Sequence, residues 1–183
     1  EYSCNLIKKI LGLKRNIIFE SPIVPPSDYK KENVITSKNT NLKRDNHALN
    51  LIFIGSLMSI FDFKTLSDAM KIAENNNLKL NLTIVGSGSS EKQIKQIFKN
   101  QKNVLFTGWL GYGEILKIAC EFDIAIAPYK NLKNFELNLP NKFIDYMYLG
   151  LPVITPLNGY PKKIIQEEET GWHYYEKNSL ELY

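Results

Sequence analysis

From residue 51 onward the sequence alternates short apolar runs with amphipathic stretches, and this alternation constrains the fold more than any other feature. Six runs have the composition of buried strands: 51–54, 80–85, 104–106, 124–127, 152–155 and 172–175. Five stretches between them have helical spacing of apolar residues: 63–75, 91–99, 112–122, 141–149 and 161–166. Strands that alternate with helices form βαβ units. The sequence therefore predicts an α/β domain with a Rossmann-like parallel sheet of about six strands, covered by helices on both faces.

Such a sheet binds ligands at the carboxyl ends of its strands, near the point where the strand order reverses. We therefore expect functional residues directly after Ile54, Val85, Phe106 and Ala127. The Gly86-Ser87-Gly88 turn lacks the spacing of a dinucleotide fingerprint, which argues against a dehydrogenase.

Composition indicates a globular domain and disfavours several functions. Hydrophobic residues make up 44% and charged residues 23% of the 183-residue chain. The net charge of +4 suits an anionic ligand, but scattered Lys and Arg residues disfavour nucleic acid binding. Cys4 and Cys120 lie far apart, and neither they nor the histidines show metal-ligand spacing. We expect a reducing, cytoplasmic location, with no disulfide and no bound metal.

The first 48 residues differ from the rest. We interpret 1–48 as a linker with the remnant of a preceding domain, and 49–183 as the Rossmann-like domain. The basic stretch 8–15 is expected to be the last helix of that preceding domain; alternatively it contacts an anionic membrane surface at its inner face. The chain begins at Glu1 rather than Met, and 179–182 resembles a first helical turn, so we expect a truncated fragment.

The segment 139–154 carries the strongest functional signal. A loop ending in Pro140-Asn141-Lys142 leads into a predicted helix that stops at Gly150. The unpaired amides that open a helix carry the positive end of its dipole and suit a diphosphate. Lys142 adds a charge, and Asp145, one turn on, can accept ribose hydroxyls. The alternative is a plain core helix with a Pro-Asn entry turn.

Several motifs agree in order with one known family: Phe53-Ile54-Gly55-Ser56-Leu57, Thr83-Ile84-Val85-Gly86-Ser87-Gly88, Val104-Leu105-Phe106-Thr107-Gly108-Trp109-Leu110, Phe122-Asp123-Ile124-Ala125-Ile126-Ala127-Pro128-Tyr129, and the run from Asn141 to Ile154. From about Leu51 to Tyr175 the chain resembles the C-terminal, nucleotide-sugar-binding domain of glycosyltransferase family 4, which has the GT-B architecture of two Rossmann-like domains.

The resemblance implies a role for each candidate residue. The distal phosphate of the donor would lie by Gly55 and Ser56. The turn at Gly86 would bind the donor at the same carboxyl edge of the sheet. The main chain of Leu110, beside Trp109, would contact the base. Trp109 alone is more typical of a loop anchor than of a base platform. The entry turn Pro140-Asn141-Lys142 would hold the diphosphate, and Asp145 would bind ribose. Lys142 and Glu136 are the candidate catalytic residues.

Two departures from the family pattern stand out. The family has an acidic pair separated by seven residues, but the position eight before Asp145 is Leu137; Glu136 is one residue off. The family often has Arg where this chain has Ser56. A one-residue slip in the loop would bring Glu136 to the sugar.

The expected function is that of the donor domain of a retaining glycosyltransferase. It would bind a UDP-, GDP- or ADP-sugar and pass the sugar to a saccharide or lipid-linked acceptor, in bacterial surface polysaccharide synthesis. The acceptor site would belong to an N-terminal GT-B domain, so this chain alone should bind nucleotide but transfer nothing. The alternatives are a non-catalytic nucleotide- or partner-binding module and a sugar-nucleotide epimerase.

Overall fold

The computed structural model describes residues 44–183. The interpretations of Cys4, of the basic stretch 8–15 and of nearly all of residues 1–48 lie outside the described residues. The six strands are β1 Leu49–Ile54, β2 Leu80–Val85, β3 Val104–Gly108, β4 Ile124–Ile126, β5 Val153–Thr155 and β6 Gly171–His173. The α-helices are α1 Phe63–Asn75, α2 Glu91–Ile97, α3 Tyr112–Ile118, α4 Asn141–Tyr148, α5 Tyr160–Glu167 and α6 Ser179–Leu182.

The strands form one parallel sheet in the order β3-β2-β1-β4-β5-β6. The predicted α/β architecture is confirmed. The order reverses between β1 and β4, and these two strands pair at only two register positions, Leu51–Ile124 and Ile52–Ala125. By contrast, β1 and β2 pair over all six residues of each strand. The switch point of the sheet therefore lies between β1 and β4.

The core reaches the carboxyl edge of β1 as a cluster of aromatic rings. Phe53 lies edge-to-face against Phe61 and Phe63, each with ring centroids 5.0 Å apart. Asp62 caps α1 by accepting a hydrogen bond from the Thr65 amide at 3.1 Å. The cap fixes the start of α1 and so holds Phe61 and Phe63 against the end of β1.

Helix α4 begins after Pro140, as predicted, and ends at Tyr148, one residue before the predicted end at Leu149. The Gly150 amide donates to the Met147 carbonyl at 3.1 Å and the Leu151 amide to Tyr146 at 2.9 Å, which closes the last turn. The apolar face of α4 is buried against the sheet, and this packing points Lys142 and Tyr146 toward the switch point.

Two predicted helix ends were wrong by two to four residues. Helix α2 ends at Ile97 rather than Lys99, because Phe98 leaves the helical path and packs in the core. Helix α3 ends at Ile118, and the 3₁₀ turn Ala119–Glu121 replaces its predicted last turn. The predicted helical turn 179–182 is present as α6, and its N-cap is Asn178, whose side chain accepts from the Glu181 amide.

Candidate functional site

Three glycines lie side by side at the carboxyl edge of the sheet: Gly55 and Gly86 directly follow β1 and β2, and Gly108 is the last residue of β3. The Gly55 amide donates to the Val85 carbonyl at 2.9 Å, and the Gly86 amide donates to the Gly108 carbonyl at 2.7 Å. Gly86 has φ of +129°, and a Cβ on it would overlap the Gly55 carbonyl. The strand pairing thus continues into the loops, and these turns approach each other more closely than side chains would permit.

A cleft of about 350 Å³ opens above these turns. Its lining residues come from the ends of β1, β2 and β3 and from the start of α3: Ile54, Gly55, Ser56, Val85, Gly86, Ser87, Trp109, Leu110, Tyr112 and Ile115. A wider cleft of about 580 Å³ lies at the amino edge of the sheet. Only the cleft of 350 Å³ contains the predicted residues Gly55, Ser56, Gly86, Trp109 and Leu110.

The indole of Trp109 is an exposed wall of this cleft. Trp109 is 76% exposed, whereas the adjacent Leu110 packs partly against the core. The interpretation of Trp109 as a loop anchor was therefore wrong, because an anchor would be buried. An exposed aromatic face beside an apolar floor can stack on a planar ring.

Lys142 reaches from the first turn of α4 to the end of β1. Its ammonium donates a hydrogen bond to the Ile54 carbonyl and lies 4.5 Å from the ring centroid of Phe53 and 5.3 Å from that of Phe61. Gly55 has φ of +137°, and a Cβ there would overlap the ammonium. The absent side chain of Gly55 thus makes the space that the Lys142 charge occupies.

Burial lowers the pKa of Lys142 to about 8, and the negative charge of Asp145 partly opposes this shift. Asp145 is only 7% exposed. Its charge also raises the pKa of Tyr129 and of Tyr146, although burial is the larger cause for both. The site therefore holds one partly buried cation and one buried anion, one turn of helix apart.

The amino end of α4 is accessible. Pro140 is the N-cap and supplies no side-chain cap, and Asn141 is exposed. The Phe143 amide returns to the Pro140 carbonyl at 2.9 Å. The start of α4, which includes Lys142, is thus free of side-chain capping. Pro140, Asn141 and Lys142 do not themselves line the 350 Å³ cleft.

The loop between β4 and α4 does not bring Glu136 into the cleft. Its backbone carbonyl accepts from the Tyr160 amide at 2.7 Å, its side chain is exposed, and it is not a lining residue of the cleft. Leu137, at the position of the expected acid, is 86% exposed. The candidate catalytic role of Glu136 stays a prediction.

Sequence reasoning missed the partners of Lys142. Phe53, Phe61 and the Ile54 carbonyl hold its ammonium, and the Tyr146 hydroxyl contacts the Ile54 amide. The aromatic residues flanking the first glycine turn were the available signal, since a cation buried at a strand end needs such surroundings.

Within residues 44–183, no three His, Cys, Asp or Glu side chains form a group that could hold a metal ion. In the same range, no helix has both the length and the apolar character to cross a membrane.

Comparisons with known proteins agree with this architecture. The C-terminal domain of a glycosyl transferase group 1 family protein (LpcC) from Francisella tularensis shares the fold with TM-score 0.55 and 17% identity, and the match covers 73% of this chain and 71% of that one. A mutant of S. aureus TarM in complex with Fondaparinux, alpha-GlcNAc-glycerol and UDP matches with TM-score 0.53 and 14% identity, over 75% of this chain and 28% of that one. The lipopolysaccharide outer core galactosyltransferase WaaB in its apo form matches with TM-score 0.50 and 13% identity, over 70% of this chain and 41% of that one. The chain thus spans less than half the length of WaaB and of TarM.

No curated protein sequence matches the chain. The family model described as glycosyl transferases group 1 matches residues 48–183, which include every strand and helix of the sheet. The chain belongs to the glycosyl transferases group 1 family.

Proposed function

We propose that this chain is the donor-binding domain of a retaining glycosyltransferase and that it holds a nucleoside diphosphate-sugar at the carboxyl edge of its sheet. The observation that carries the proposal is the convergence of the Gly55 turn, the buried Lys142 ammonium and the uncapped start of α4 beside a cleft with an aromatic wall. These groups provide positive charge and close backbone approach, which a diphosphate requires.

The ligand would extend along this edge. Its base would lie against Trp109 and Leu110, and its diphosphate would lie over the Gly55 and Gly86 turns toward Lys142 and the Asn141 amide. Asp145 would accept ribose hydroxyls through its small exposed portion. Ser56, exposed at the same edge, would donate to a phosphate oxygen.

In the transfer step the bond between the anomeric carbon and the diphosphate breaks, and the bonding electrons stay on the phosphate oxygen. The hydroxyl oxygen of the acceptor bonds to the anomeric carbon, and its proton passes to the departing diphosphate. Lys142 would stabilise that negative charge, since a fixed cation at the leaving group lowers the barrier. With a pKa of about 8, Lys142 is charged in about nine molecules of ten at pH 7. Orientation of the donor by the glycine turns would supply the remaining rate enhancement.

The acceptor would be a saccharide or a lipid-linked saccharide, bound by a second GT-B domain. The short span of this chain relative to WaaB and TarM supports a second domain, and the lipopolysaccharide product named for WaaB supports bacterial surface polysaccharide synthesis. We place this reaction in the cytoplasm, at the inner face of the membrane when the acceptor is lipid-linked.

A non-catalytic nucleotide-binding module is the second candidate. It is favoured by the exposed Leu137 at the position of an expected acid and by the location of Glu136 outside the cleft. Such a module would bind nucleotide and would transfer no sugar even when the complete protein is assayed.

Calorimetric titration with UDP, GDP and ADP tests the proposal. We expect one nucleotide to bind, Lys142→Ala to weaken its affinity about 10- to 100-fold, and Lys71→Ala to leave it unchanged. Lys71 is the matched control because it carries the same charge, is 51% exposed and lies in the second half of α1, away from the carboxyl edge. Absence of binding by all three nucleotides at about 1 mM would contradict the proposal.

A further inference from the structure

Tyr146 is a fully buried residue of α4 whose hydroxyl reaches the switch point of the sheet. The hydroxyl accepts a hydrogen bond from the Ile54 amide at 3.0 Å and lies 3.2 Å from the Ile126 carbonyl, to which it can donate. Ile54 is the last residue of β1 and Ile126 is the last residue of β4. The hydroxyl therefore bridges the two strands at their carboxyl ends.

This bridge lies where the backbone pairing of β1 and β4 has stopped. The register ends at Ile52–Ala125, two residues before Ile54. A buried backbone amide or carbonyl without a partner is costly, and the Tyr146 hydroxyl supplies one to each strand. Tyr146 thus holds the ends of β1 and β4 at a fixed separation.

The same residue, Ile54, also receives Lys142. The carbonyl of Ile54 accepts from the Lys142 ammonium, and its amide donates to Tyr146. Lys142 and Tyr146 are four residues apart on α4, so they project from one face of the helix. One helix face therefore binds both polar groups of a single residue, directly before the Gly55 turn.

We propose that Tyr146 is a positioning residue of the donor site: its hydroxyl fixes Ile54 and thereby sets where the Lys142 ammonium and the Gly55 turn lie. The link from this geometry to diphosphate binding rests on the proposed function. The link from Tyr146 through Ile54 to Lys142 is independent of the proposed function.

The test replaces the hydroxyl and measures Lys142. The variant is Tyr146→Phe, and the matched control is Tyr174→Phe, since Tyr174 is 2% exposed and its hydroxyl has no hydrogen-bond partner among residues 44–183. The readouts are the titration midpoint of the Lys142 ammonium by NMR, assigned with Lys142→Arg, and the affinity for UDP.

Around Lys142 the facing charged group is Asp145, one turn along α4. Tyr129, in the loop after β4, and Tyr146 lie near Asp145 and stay neutral because burial raises the pKa of both. A change in the titration midpoint of Lys142 therefore indicates a change in the contact between Lys142 and Ile54 or in the burial of Lys142.

In Tyr146→Phe the Ile54 peptide and the Ile126 carbonyl each lose a partner, and water enters to satisfy them. Since burial is the main cause of the low pKa of Lys142, we expect its midpoint to rise from about 8 and the UDP affinity to fall roughly tenfold. Tyr174→Phe should leave both at wild-type values. A Lys142 midpoint that is unchanged or lower in Tyr146→Phe overturns the proposal.

The wild-type protein offers a check that needs no variant to fold. The Ile54 amide should exchange with deuterium as slowly as the buried β1 amides that pair with β2, because its acceptor is a buried hydroxyl. Rapid exchange would show that the bridge does not form. If wild type binds none of UDP, GDP and ADP, the proposed function fails, while the Lys142 midpoint and Ile54 exchange still decide the role of Tyr146.

Discussion

The affinity of this domain for a nucleoside diphosphate should fall as the pH rises through 8. Lys142 has its pKa lowered to about 8 by burial in the free protein. A bound diphosphate places negative charge beside the ammonium and returns its pKa toward the ordinary value of about 10.5. Binding is therefore coupled to the uptake of a proton by Lys142 above pH 8.

The size of the effect follows from the two pKa values. With a free pKa of about 8 and a bound pKa near 10.5, linkage predicts about eightfold weaker binding at pH 9 than at pH 7.5. At pH 8, half of the Lys142 side chains are neutral, so each binding event should take up about half a proton. UDP itself does not titrate in this range, because its terminal phosphate has a pKa of about 6.

Calorimetry in two buffers of different ionisation enthalpy measures both quantities. Lys142→Met removes the titrating group, so its weaker binding should be independent of pH between 7.5 and 9, while Lys71→Ala should follow wild type. A flat wild-type profile with no proton uptake at pH 8 would refute the reasoning, since it would mean either that the pKa of Lys142 is not lowered in the free protein or that Lys142 does not meet the diphosphate.

Four further predictions follow from the same geometry. Gly55→Ala should weaken UDP binding about tenfold or more and cost about 1–3 kcal/mol of stability, because the new Cβ displaces the Lys142 ammonium and the backbone has φ of +137°. A calorimetric affinity and a urea midpoint equal to those of wild type would contradict this. The folded state lowers the pKa of Lys142, so the unfolded chain binds more protons than the folded one between pH 8 and 10.5. The free energy of unfolding should therefore rise with pH across that window, by up to about 3 kcal/mol more in wild type than in Lys142→Met. An equal pH dependence of the urea midpoints of the two proteins would count against this. Trp109→Ala should reduce UDP affinity about 5- to 100-fold through lost stacking with little change in stability, because the side chain is 76% exposed; a large loss of thermal stability would instead indicate a structural role. The isolated chain should bind nucleotide and transfer no sugar, and turnover of a UDP-sugar in its presence would overturn the need for a second domain.

The fold could be predicted because the strands are apolar and both faces of the sheet are covered. Strand β2 was predicted with its observed bounds, since it is a continuous apolar run apart from Asn81 and Thr83. Strand β1 begins two residues earlier than predicted, at Leu49. Asn50 made that start hard to predict, because asparagine is uncommon in strands. In the structure Asn50 is buried, and its side-chain amide donates to the Asp45 and Ala48 carbonyls.

The candidate site was predictable in outline and not in its contacts. Glycines directly after strands indicated the edge at which Gly55 and Gly86 lie. The contact between Lys142 and the Ile54 carbonyl joins residues 88 apart in sequence, and no local pattern encodes it. Glu136 was harder still, because the 3₁₀ turn at Lys133–Phe135 and the Tyr160 hydrogen bond decide where its side chain projects.

The central claim is that the carboxyl edge of the sheet binds the nucleotide, and a titration of UDP followed by amide NMR tests it most directly. We predict that the amide chemical shifts of Gly55, Gly86, Leu110, Asn141 and Lys142 change together and follow one binding curve with a common dissociation constant. Shifts confined to the cleft at the amino edge, at Asn77, Asn81 and Asn103, or no shifts with UDP and none when the titration is repeated with GDP and ADP, would contradict it.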